Sequence, residues 1–290
     1  MVKNKKLLVV FCIFVFAFAA VGCGGGGQVP SEPEPQASGE SEPKKLLIGS
    51  DTAYPPFEWQ DTATGEYVGF DMDLIAAIME ELGYDYEVQN FTFDGLIPAL
   101  QSGTIDVIIS AMTIKPSRAE RIDFTDPYYK SGLVIAVHKD NTDINSFDDL
   151  AGKRLGVQIG TTGADKAKEV QEKYPDTTIT TFDRIPEAFM ALRIGAVDAV
   201  INDAPVTLYA IEQDAKKDIK VVGEMLSSEY YGIAVAKNNP ELYAEINGAL
   251  KTLKENGRFQ EIYEQWFGEM PEELLTITVE EALAAWEGEG

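Results

Sequence analysis

Cysteine is nearly absent from this chain: of 290 residues only Cys12 and Cys23 are Cys. Cys12 sits inside an apolar N-terminal run, so a product without that run keeps one Cys and has no intramolecular disulfide. Histidine is scarcer, with His138 alone, and without a His or Cys cluster there is no ligand set for a transition metal. No P-loop and no G-x-S-x-G occur, so neither a cofactor nor nucleophilic catalysis is expected. Basic residues are few, 24 Lys and Arg against 48 Asp and Glu for a net charge of −24. That balance argues against nucleic acid as a partner and against a polybasic hold on anionic lipid. Long apolar runs are limited to Leu7–Val21, 15 residues, short of the roughly 20 that span a bilayer.

That run follows Lys3, Lys5 and Lys6 and ends in Ala20-Val21-Gly22-Cys23. A basic start, an apolar middle and small residues before a Cys resemble a bacterial lipoprotein signal, with Ala20 where its lipobox usually has Leu. The resemblance implies a signal peptide over 1–22, a lipidated Cys23, and a location in the cell envelope outside the cytoplasmic membrane. A diacylated Cys supplies two acyl chains, enough for a stable membrane anchor. Residues 24–43 are Gly, then Pro30, Pro33, Pro35 and Pro43 among Ser and Glu. Without apolar periodicity they read as a solvated linker. Gly22–Gly27 formally matches G-x-G-x-x-G, but follows no strand and opens no helix.

The remaining residues, from Lys44 on, carry one pattern twice. Ala99-Leu-Gln-Ser-Gly103-Thr-Ile-Asp106-Val-Ile-Ile109 recurs 92 residues later as Ala191-Leu-Arg-Ile-Gly195-Ala-Val-Asp198-Ala-Val-Ile201. Each copy reads as a helix end, a Gly at positive φ, an Asp, and a buried β-branched strand. Upstream, the apolar runs Lys44–Ser50 and Lys153–Ile159 are each followed by a helical stretch, Phe70–Leu82 and Gly163–Lys173. Each half therefore predicts β-α-β-α-β. The fold class is α/β: two similar lobes with mostly parallel sheets and a ligand cleft at the strands' carboxyl ends. Asp106 and Asp198 read as turn or packing residues.

Further motifs run in order through the body: Gly49-Ser-Asp51-Thr-Ala-Tyr54-Pro-Pro-Phe57-Glu58, Gly69-Phe-Asp-Met-Asp-Leu74, Phe93-Asp-Gly-Leu-Ile-Pro-Ala-Leu100, Ile122-Asp-Phe-Thr-Asp-Pro-Tyr-Tyr129, Gly160-Thr-Thr-Gly163, Tyr230-Tyr-Gly-Ile-Ala234 and Ile262-Tyr-Glu-Gln-Trp-Phe-Gly268. Together they resemble the polar amino-acid family of periplasmic solute-binding proteins, receptors of ATP-driven (ABC) importers, over residues 45–268. The resemblance implies a hinge-closing type II binding-protein fold joined by two crossover strands. It divides the chain into a large lobe, 45–131 plus 232–268, and a small lobe, 132–231. It implies an amino-acid ligand, a membrane permease as partner, and a monomer.

It also implies a site. Arg118 would grip the ligand carboxylate through its planar fork, with Ser110, Met112 and Thr113 supplying hydroxyl and backbone groups. Thr162 would add the free N–H groups of a helix start, and Asp203 would meet the ammonium. Tyr54 and Phe93 would sandwich the ligand side chain, with Phe57 or Trp59 nearby, and Asp51 would meet its polar end. An acid flanked by aromatics suits a basic side chain. Gln158 and Asn202 stand where glutamine receptors bring Lys and His, which favours a basic amino acid over glutamine or glutamate. A dehydratase-type enzyme on the same fold is the alternative, but it needs a cleft acid that no motif singles out. Residues 269–290 form an acidic extension in which Thr278-Val-Glu-Glu281 reads as a capping box before an apolar stripe of Val279, Ala282, Leu283 and Trp286.

Overall fold

The computed structural model describes residues Lys45–Glu287. The expected signal peptide, Cys23 and the expected linker lie outside the described residues. In chain order the elements are β1 (Lys45–Ser50), β2 (Ala53–Tyr54), β3 (Glu58–Gln60), β4 (Tyr67–Val68), α1 (Phe70–Leu82), β5 (Asp85–Asn90), α2 (Phe93–Gln101), β6 (Val107–Ile108), α3 (Pro116–Ala119), β7 (Ile122–Phe124) and β8 (Tyr129–Ser131). There follow β9 (Leu133–His138), β10 (Arg154–Gln158), α4 (Thr162–Lys173), β11 (Thr178–Phe182), α5 (Ile185–Arg193), β12 (Ala199–Asp203), α6 (Ala204–Gln213) and β13 (Ile219–Val222). The chain ends with β14 (Glu229–Tyr231), β15 (Ala234–Ala236), α7 (Pro240–Glu255), α8 (Arg258–Phe267) and α9 (Val279–Glu287).

Two five-stranded sheets repeat one topology, β5-β1-β6-β15-β7 and β11-β10-β12-β9-β13. In each, three parallel strands come from a β-α-β-α-β run, and one antiparallel strand (β15 or β9) followed by an edge strand (β7 or β13) completes a mixed sheet. The repeated sequence explains the match. Gly103 and Gly195 adopt φ of 73° and 72° after α2 and α5, where a side chain would be strained. The Asp that follows each Gly then ties its strand to the first strand of its β-α-β-α-β run. Asp106 Oδ2 accepts from the Leu47 N–H, and Asp198 Oδ2 from the Arg154 N–H, both at 2.8 Å.

The lobes are joined by an antiparallel ribbon in which β8 pairs with β14, with Tyr230 opposite Lys130. Beneath it, Phe57 packs edge-on against Tyr129 at 4.8 Å and Tyr231 at 5.3 Å. Phe70, Tyr263 and Phe267 extend this aromatic core. Gly163 lets α4 approach β12: a Cβ there would stand 2.6 Å from the Ile201 carbonyl oxygen. Among the described residues no helix is long and apolar enough to cross a membrane.

The extension docks. Thr278 and Glu281 exchange the two hydrogen bonds of a capping box. Ala282 is buried, Val279 and Leu283 pack on the core, and the Val279 N–H donates to Asp126. Trp286 lines a small cavity with Leu133, Leu226, Thr162 and Glu229, beside the ribbon.

Asp106→Ala and Asp198→Ala should each cost roughly 1–2 kcal/mol, because each removes a charged acceptor from a strand N–H at a partly exposed position. Urea unfolding of both variants checks this. Losses near zero at both sites would mean that the repeated Asp has no part in tying the strands.

Candidate functional site

The strands of both lobes end at the cleft, and there eight of the ten singled-out residues meet. Asp51, Tyr54, Phe93, Thr113 and Arg118 from the large lobe face Gln158, Thr162 and Asp203 from the small lobe across a small cavity. Glu58, Ala111 and Thr161 complete the lining.

Ser110 and Met112 are not in the wall. The Ser110 hydroxyl accepts from the Asp51 N–H at 2.9 Å and donates to Glu58 Oε1 at 2.8 Å, so it braces two wall residues from behind. Met112 is fully buried, and its carbonyl accepts from the Gly232 N–H at the start of the return strand. Phe57 and Trp59 are also turned away, Phe57 into the aromatic core and Trp59 against Trp266 and Tyr209. Glu58 takes the cavity-facing place between them, as alternation along a strand requires.

Arg118 lies on the one-turn helix α3, 4% exposed, with Nη1 donating to the Thr113 carbonyl at 2.8 Å and Nη2 to the Gly160 carbonyl at 3.1 Å. Its guanidinium stands 5.1 Å over the Phe93 ring, so Phe93 carries the arginine as well as facing the cavity. Its hydrogen bonds go to carbonyls, and among the described residues it has no ion-pair partner. An anion in the cleft would complete it.

Asp203 begins α6 without capping it; its Oδ2 accepts from the Tyr54 hydroxyl, which also donates to Asn202 Oδ1 at 3.0 Å. Its Oδ1 is buried without a hydrogen bond. Burial, and after it the Glu229 carboxylate, push Asp203 up to about 7. Asp51 rises to about 6 through burial, held back by the Gln158 amide and by Arg184. Asp71 also rises to about 6 through burial, although the Ala111 N–H and the Tyr128 hydroxyl donate to it. Burial and Asp71 together hold Glu58 well above the usual carboxylate range.

Thr161 caps α4, accepting from the Ala164 N–H. Thr162, next to it, donates its hydroxyl to Glu229 Oε2 at 2.9 Å, and Thr113 donates to the same oxygen at 2.6 Å. Neither Glu58 nor Glu229 was singled out in the sequence. The Glu ending Tyr54-Pro-Pro-Phe-Glu58 offered a signal for the first; Glu229, just before Tyr230-Tyr-Gly, offered none.

Two lobes of one topology, a double-stranded hinge and a charged cleft define a hinge-closing solute-binding protein. Residues 46–269 match the model of the bacterial extracellular solute-binding proteins, family 3, and the chain belongs to that family. The ABC transporter arginine-binding protein 1 of Escherichia coli (strain K12) is 34% identical over 232 residues, 79% of this chain and 93% of its own length. The ABC transporter glutamine-binding protein GlnH of Bacillus subtilis (strain 168) is 35% identical over 232 residues, 79% of this chain and 83% of its own. A solved ancestral arginine-binding protein bound to arginine has a TM-score of 0.74 at 45% identity, covering 77% of this chain and 98% of that one. Its glutamine-bound form is equally similar, with a TM-score of 0.74.

The raised carboxylates fix the sign of a pH effect. A carboxyl whose folded pKa lies above its unfolded value binds protons more tightly when folded, so its stabilising contribution is complete near pH 4 and lost as pH rises through 6 to 7. Lys254, lowered to about 8 by burial, acts only above that window. The ligand-free protein should therefore melt several degrees lower at pH 7.5 than at pH 5, by calorimetry. A higher melting temperature at pH 7.5 would mean that the cleft carboxylates are already ionised and paired in the folded chain.

Proposed function

We propose that the chain is an extracytoplasmic receptor that closes around a basic amino acid, arginine foremost, and presents it to the permease of an ABC importer. The observation that carries this reading is the complementarity of the cleft to a zwitterion with one further positive charge. Arg118 offers a buried cation to a carboxylate. Asp203 and Asp51, on opposite sides of the cavity, offer carboxylates to an ammonium and to a basic side chain. Burying each charge opposite a partner avoids the cost of desolvating it alone. The arginine- and glutamine-binding relatives support an amino acid as the ligand class, and the surplus of cleft carboxylates favours the basic one. Anchoring through a diacylated Cys23 belongs to the same proposal.

Glu58 and Asp203 do supply raised carboxyls in the cleft, which a dehydratase would need. Asp203 already accepts from Tyr54 and Glu58 from Ser110, an arrangement that reads as binding and bracing rather than as an acid poised over a leaving group.

Calorimetry and thermal shift against arginine, lysine, histidine, glutamine and glutamate test the proposal. A ligand at 100 times its Kd should add about 2.7 kcal/mol of stability. Arg118→Ala and Asp203→Ala should each weaken binding by roughly 2–5 kcal/mol, since each strands a desolvated charge on the ligand. Unchanged affinity in either variant would remove the clamp, and a preference for glutamine or glutamate by tenfold would remove the basic-ligand reading.

A further inference from the structure

Asp51, the cavity acid expected to meet a ligand side chain, is approached from behind the lining by a cation of the chain itself. Arg184 precedes α5 in the small lobe and reaches across the cleft, where its Nη1 stands 3.3 Å from Asp51 Oδ1. Its Nη2 donates to Asn90 Oδ1, at the end of β5 in the large lobe, at 2.8 Å. The other oxygen of Asp51, Oδ2, accepts from the Gln158 amide at 2.6 Å. Both oxygens of the acid that should meet a ligand side chain are thus approached by small-lobe donors. Their occupancy differs, however: Oδ1 is close to Arg184 as an ion pair but makes no hydrogen bond. It remains an acceptor without a donor, with a guanidinium alongside.

We propose that Arg184 is a specificity-determining residue that tempers the preference of the cleft for positive charge by competing with a cationic ligand side chain for Asp51. A neutral amide can donate to Oδ1 while Arg184 stays in place. A ligand guanidinium or ammonium must either share Asp51 with a like charge or push Arg184 outward. Outward movement is open to it, because its side chain is 28% exposed while that of Asp51 is 2% exposed. Asp94 and Glu187 add negative charge around Asp51, so the site still attracts a cation, but less steeply than Asp51 alone would. The expected outcome is a receptor whose affinities for arginine and glutamine lie closer together than its acidic cleft suggests. Specificity here is a difference between two affinities, narrowed by a repulsive element supplied by the chain.

This inference rests on the amino-acid-receptor reading, and the test separates the two. Arg184→Gln keeps a donor for Asn90 and removes the charge; Arg184→Lys keeps the charge. Titration of each full-length protein with arginine and with glutamine should raise the arginine-to-glutamine affinity ratio about tenfold in Arg184→Gln and leave it near wild type in Arg184→Lys. A uniform loss for both ligands would make Arg184 a mere latch between lobes and overturn the proposal. The ligand-free proteins give a second readout: the Asp51 carboxyl, followed by NMR, should titrate at higher pH in Arg184→Gln than in wild type, because a neighbouring cation is gone. An unchanged Asp51 titration overturns the proposed contact whatever the ligand. A shifted titration in a protein that binds no amino acid leaves the contact standing and overturns both the specificity role and the receptor reading.

Discussion

One carboxylate oxygen, Oε2 of Glu229, accepts hydroxyl protons from Thr113 in the large lobe and Thr162 in the small lobe. Glu229 sits on the hinge strand β14, is 1% exposed, and takes a third bond from the Ser227 hydroxyl on Oε1. A buried carboxylate is costly unless its lone pairs are filled. Opening the lobes about this strand pulls at least one threonine away, so the closed arrangement is favoured by a charge with nowhere else to turn. The two threonines also flank the start of α4 and the turn before α3, which places them beside Arg118. Closure and the surroundings of Arg118 are thus tied to the same oxygen.

The cleft balances charges of both signs at close range. Lys115 pairs with Asp165 of the other lobe, Gln158 and Arg184 reach Asp51, and Tyr54 reaches Asp203. Each is a contact between lobes, and each involves an ionised or ionisable group whose desolvation depends on closure. Protonation of the raised carboxyls lets the empty cleft close without stacking like charges. In the proposed binding mode, a ligand ammonium at Asp203 would replace that proton with a fixed cation. Ligand binding and proton release are then two descriptions of the same exchange.

Much of this architecture was legible in the sequence because it is local. The doubled Gly-x-x-Asp pattern predicted two lobes of one design, and the structure gives a reason for its Asp: Leu47 and Arg154 each need an acceptor at the same point in the sheet. Thr278–Glu281 as a capping box follows from spacing alone. What escaped is set by pairing between segments far apart. Glu229 meets Thr113 across 116 residues, and no pattern near Tyr230 announces it. Ser110 is expected from the sequence to offer its hydroxyl to the ligand, but that hydroxyl turns to Glu58 arriving from β3. Phe57 and Trp59 were misplaced relative to the cavity because neighbours on a short strand face opposite ways, and only one face can meet the ligand.

The two ends of the cavity obey different physical constraints. At one end, where the proposed binding mode puts the carboxylate and ammonium that every amino acid shares, Arg118 and Asp203 are held in place: Arg118 by two carbonyls and the Phe93 face, Asp203 by the Tyr54 hydroxyl. At the other end, the ligand varies, and the groups there are of a more adjustable kind. Gln158 divides its amide between Asp51 and the Asp183 carbonyl, and Arg184 divides its guanidinium between Asp51 and Asn90. Each has an alternative partner and can release Asp51 without being left bare, so the cost of rearranging this end is small. A site fixed where its ligands are alike and adjustable where they differ can retain one fold and one mode of closure while its selectivity changes by a few side chains. In this chain the most exposed of those adjustable contacts to Asp51 is Arg184.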